Sequence, residues 1–64
     1  MNNQIVEILV DKALTDLKNL EIEAKNRGLE SQLGRWIESY MIGLQKTNKE
    51  AHQQVKIVLE KVRG

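Results

Sequence analysis

Cysteine, proline and phenylalanine are missing altogether from the 64 residues, and histidine occurs once. Without cysteine there is neither a disulfide staple nor a thiolate zinc site. A single histidine is too few for a histidine-based metal cage, so no metal and no cofactor are expected. Aromatic side chains are limited to Trp36 and Tyr40. An excess of one charge is lacking too. Ten Lys and Arg stand against nine Asp and Glu, a net charge of +1, which sets up no long-range field of the kind that announces a nucleic-acid binder. No apolar run exceeds three residues, as in Ile8-Leu9-Val10, so no membrane span is expected. No charged start leads into an apolar stretch, so no secretory signal is expected either, and the expected location is the cytoplasm.

What remains is rich in Glu, Lys, Leu, Gln and Ala, the residues that lose least on entering a helix. Hydrophobic residues make up 41% and charged residues 30%, too apolar for a disordered tail and too charged for a membrane segment. A chain of this length buries only about 60% of its unfolded surface. Small domains offset that deficit with disulfides, metals or oligomerisation. Composition excludes the first two. Oligomerisation, or unusually good helix packing, is left.

The first half carries one amphipathic pattern. Val6, Val10, Ala13, Leu17, Leu20 and Ala24 recur at alternating spacings of four and three, and Ile5, Leu9 and Leu14 widen the stripe, as in a helix that packs on other helices. Asn2 or Asn3 can cap its start. Gly28 is the natural stop, because glycine takes the left-handed conformation without steric cost. Lys25 and Arg27 complement the dipole of the last turn. The pattern predicts a first helix over about 3–27, a turn at 28–30, and a second helix starting near Ser31, a fair N-cap.

Two signals conflict near Thr47. Thr47-Asn48-Lys49-Glu50 fits the capping box that starts a new helix. Against this, Leu33, Ile37, Tyr40, Leu44, Thr47, Ala51, Val55, Val58 and Val62 keep one phase, all within an arc of about 80° on a helical wheel. The favoured expectation is therefore one long helix over about 31–63. It would overhang the first helix and leave Val55, Val58, Leu59 and Val62 uncovered, a contiguous apolar patch of the kind monomers avoid. A second copy solves this: two antiparallel hairpins forming a four-helix-bundle homodimer of twofold symmetry. The alternative is a monomeric three-helix bundle with a break near Thr47. Either way residues 1–64 form one all-α domain. The glycines at 34 and 43 each cost the second helix roughly 1 kcal/mol relative to alanine. Ile8, Ile22, Ile42 and Ile57 fall off the stripes and are expected on the surface, as single exposed aliphatics or as a second contact face for another protein or a higher oligomer.

Chemistry-bearing patterns are few. His52 follows Glu50 by two residues, the wrong spacing for a Glu-x-x-His metal pair, and it projects away from the stripe, so it reads as a surface histidine. No nucleophile elbow and no glycine-rich phosphate loop occurs. A chain this small offers little concavity for an active site, and an enzyme is not expected. Trp36 and Tyr40 lie one turn apart on the stripe, as core anchors or as a partner's hot spot. Residues 1–32 carry four basic and six acidic side chains, and residues 33–64 six basic and three acidic. On a continuous second helix Arg35, Lys46, Lys49, Lys56 and Arg63 would line the side opposite the stripe and could follow a phosphate backbone. Glu38 and Glu60 interrupt that row, and the pairs Lys46–Glu50 and Lys56–Glu60 read as a solvated, salt-bridged helix back.

The expected function is thus a non-enzymatic protein-interaction module: a regulator, inhibitor or assembly factor working through helix–helix contacts, with Trp36, Tyr40, Val55, Val58, Leu59 and Val62 at the oligomer or partner interface. A nucleic-acid-binding regulator using the basic row is one alternative. A self-assembling coiled-coil subunit is the other.

Overall fold

The computed structural model describes residues 4–63, and these residues form three α-helices joined by short connections. Helix α1 spans Gln4–Arg27, α2 Leu33–Thr47 and α3 Lys49–Arg63. A single 3₁₀ turn, Glu30–Gln32, leads into α2. The expected caps Asn2 and Asn3 lie outside the described residues.

The end of α1 forms as its sequence requires. Gly28 has φ of 69°, the left-handed region. A Cβ there would meet nothing within 4 Å, so the backbone angle alone calls for glycine. That reversal lets the Leu29 amide donate to Ala24 O at 2.8 Å and the Gly28 amide to Lys25 O at 3.3 Å, satisfying carbonyls the helix would otherwise leave open. Ser31 does not cap the next helix. The 3₁₀ turn carries the backbone straight in, with the Gln32 amide on Leu29 O at 2.9 Å and the Leu33 amide on Glu30 O, so no side-chain cap is made.

The continuous second helix does not form. Helix α2 stops at Thr47, and Asn48 is extended, with φ of −158° and ψ of 110°. The capping signal wins, one residue later than the sequence box suggested. Asn48 Oδ1 accepts the Ala51 amide at 3.0 Å, and Asn48 O accepts the His52 amide at 3.0 Å, which starts α3. Thr47 turns back instead and donates its hydroxyl to Gly43 O at 3.0 Å. One extended residue reverses the chain, so that α3 packs against both α1 and α2.

That reversal also removes the overhang. Val6, Ala13, Leu17, Leu44, Ala51 and Val55 form one core cluster, flanked by Leu9, Val10, Leu14, Leu20, Ile37, Tyr40, Met41 and Leu59. Val55 is 0% exposed, so its burial needs no second copy. The most buried positions besides Val55 are alanines at 13, 24 and 51. Small side chains at a contact let helix axes approach closely, and the molecule is correspondingly thin, with extents of 43 × 22 × 16 Å. Among the described residues no polar or charged side chain is buried. Ile8, Ile22, Ile42 and Ile57 are exposed as expected, but so is Ile5, which was placed on the stripe.

Replacing Val55 by alanine empties a fully enclosed site. We expect Val55→Ala to cost about 2 kcal/mol and to lower Tm by roughly 8–16 °C. Ile57→Ala on the outer face of α3 should stay within about 0.5 kcal/mol. Thermal melts followed by far-UV circular dichroism check both.

Candidate protein-interaction surface

Grooves lie between the packed helices. One runs between α1 and α3 and opens near the end of α3. Its walls are Leu14 and Leu17 of α1, Ile37 of α2, and Val58, Leu59 and Val62 of α3, with Lys18 and Glu21 on its rim; it encloses about 310 Å³. The lining is predominantly aliphatic because the apolar arc of α3 is broader than two neighbours can cover at its last turn. Val62 stays 80% exposed. Three of the six residues expected at an interface, Val58, Leu59 and Val62, therefore meet in one cleft, although the continuous-helix geometry that first pointed to them is absent.

The second groove lies between α1 and α2, on the side away from α3. Leu9, Lys12, Ser39, Tyr40, Gly43, Leu44 and Thr47 line about 390 Å³ of it. Gly43 has open space where a Cβ would stand, so no neighbouring atom excludes a side chain there. Tyr40 is half-buried and packs against the core. Its hydroxyl donates to Asp16 Oδ2 at 2.6 Å, a polar tie between an α1 and an α2 side chain. The same carboxylate faces Lys12 Nζ at 3.4 Å, one turn away. The Tyr40 hydrogen bond holds the Asp16 carboxyl below the usual carboxylate range, with Lys12 helping and partial burial opposing. Burial, together with the adjacent Asp16 carboxylate, pushes the Tyr40 phenol up from 10.0 to about 12. No sequence pattern signals this pair, because it depends on the register of two helices. Trp36 is half-buried on α2 and outside the core cluster.

The basic row is divided. Arg35 and Lys46 lie exposed on α2, and Lys49 and Lys56 exposed on α3. The break at Asn48 turns what would have been one face about 42 Å long into two short stretches on different helices. Arg63 ends α3. His52 is half-buried rather than exposed; α3 touches two helices instead of one, which widens its buried arc. Among the described residues no group of three metal-ligating side chains comes together. No helix among them is long and apolar enough to cross a membrane. No protein-family model, curated protein or solved structure matches the chain.

The Asp16–Tyr40 pair gives a pH dependence of defined sign. Asp16 has a lowered folded pKa, so its contribution is present above the usual carboxylate range and is lost as pH falls through the folded value. Tyr40 has a raised one, so its contribution is complete below 10.0 and fades as pH rises toward about 12. Tyrosinate absorbance, unambiguous with a single tyrosine, should titrate near the upper value. Tyr40→Phe should flatten both limbs of the stability profile. A wild-type phenol that ionises like free tyrosine would show the hydrogen bond to be absent in solution.

Proposed function

We propose that the chain is a small, non-enzymatic protein-interaction module of the cytoplasm, a regulator, inhibitor or assembly factor that binds through helix–helix contacts. The observation that carries this reading is the aliphatic cleft of Leu14, Leu17, Ile37, Val58, Leu59 and Val62. Concave, apolar and only partly filled, it fits the helix-in-groove mode of recognition, in which an amphipathic helix sets a few anchors into a hydrophobic groove. Lys18 and Glu21 on the rim offer one charge of each sign to fix the orientation of the incoming helix. A second copy of the chain is a further partner in this reading. Nothing in the divided basic row favours nucleic acid over protein.

The test is in-cell crosslinking in the native host, followed by affinity measurement with the partner recovered. Val62→Glu adds a charge at a side chain that is already 80% exposed, so the fold should be kept while affinity drops by tenfold or more, about 1.4 kcal/mol. Ile57→Glu, on the outer face of the same helix, is the matched control and should bind like wild type. Equal effects of the two substitutions would reject the cleft. Salt-steep binding lost only in Lys49→Glu with Lys56→Glu would move the function to nucleic acid.

A further inference from the structure

The apolar stripe of the second half runs in one phase from Leu33 to Val62, yet the chain reverses in the middle of it. Only Asn48 separates α2 from α3, and neither glycine nor proline stands between Leu44 and Arg63. The reversal is held locally by the Asn48 side chain on the Ala51 amide. Apart from the capping box at Thr47–Glu50, the apolar phase of residues 33–63 is that of a single helix. The face of α1 and α2 that α3 covers contains Leu17, Leu44 and the flanking Leu14, Ile37 and Met41. It recognises Ala51, Val55, Val58 and Leu59 by shape and apolarity, since among the described residues no buried polar side chain fixes which chain supplies them.

We propose that this α1–α2 face also receives α3 from a second copy of the chain. Asn48 straightens, α2 and α3 fuse into one helix, and each copy lends its residues 49–63 to the other. The contacts made by α3 are those of the monomer, now formed between chains, so the interface is a domain core divided between two copies. The straightened helix gains the backbone hydrogen bonds forgone at the break and loses the Asn48 cap. The balance between the two forms therefore rests on residues 48 and 49 and on protein concentration. This inference does not depend on the cleft beside Val62 or on any foreign partner.

The test uses full-length protein refolded from urea at about 10 µM and about 1 mM, then weighed by sedimentation equilibrium, since dimer formation follows mass action. Asn48→Ala removes the cap from both copies and should tighten the dimer about thirtyfold. Lys49→Pro should hold the break. Proline is favoured in the first helical turn, would interrupt a continuous helix, and suits an extended residue before it, as Asn48 is. It should stay monomeric at both concentrations and melt cooperatively. Introduced cysteines at exposed Arg35 and Lys61 take spin labels specifically, as the chain has no other thiol. Diluted into unlabelled protein they report the distance within one chain. That distance should be about 39 Å along a continuous helix in the Asn48→Ala dimer, and should fall inside the 22 Å width of the molecule in the Lys49→Pro monomer. The proposal is overturned if Asn48→Ala stays monomeric at the higher concentration, if its dimer keeps the short distance, or if Lys49→Pro dimerises as well as Asn48→Ala.

Discussion

Everything in this fold hangs on the direction of the chain at Asn48. If that residue is extended, the second half doubles back and the core closes with Val55 fully enclosed. If it were helical, the same residues would extend past α1 into solvent. The cap that decides this contributes on the order of 1 kcal/mol, far less than the burial it makes possible, since a single aliphatic side chain taken out of water is worth roughly 1.5–3 kcal/mol. The cap fixes where the chain turns; the burial of Ala51, Val55 and Leu59 against α1 and α2 makes turning worthwhile.

Helix α1 is legible in the sequence because it rests on local rules. The spacing of Val6, Ala13, Leu17 and Ala24 gave the buried face of α1, and Gly28 gave its end, with both terminal hydrogen bonds in place. The surface positions of Ile8, Ile22, Ile42 and Ile57 followed from the same wheel. At Thr47 the phase of the stripe favours a continuous helix, and the break at Asn48 overturns that reading. Phase continuity is a property of a helix in isolation, whereas the choice between one helix and two depends on what each arrangement buries. Asn48 and the box at Thr47 were both visible, but the weight to give them was a tertiary quantity.

The candidate surface was legible in a different way. A long helix would strand Val58, Leu59 and Val62; they do meet in one cleft, but the cleft arises from the fold-back. Val55, chosen on the same argument, is in the core. The basic residues form one row only on a continuous helix, and α2 and α3 are separate. Pairings across helices, such as Asp16 with Tyr40, stayed out of reach, since residues 24 positions apart meet only once the hairpin register is set.

The interior holds aliphatic side chains, several of them no larger than a methyl group, and no polar atom among the described residues that must find a particular mate. Such an interior enforces spacing but says little about sliding. A helix shifted lengthwise by one turn forfeits some fit without stranding a fully buried polar side chain, so polar resistance to shear comes from the two ends, where Gly28 and Asn48 anchor the chain, and from the part-buried Tyr40–Asp16 tie. The consequence is mechanical: the molecule behaves as three smooth rods pinned at their corners, stiff against separation and compliant along their length.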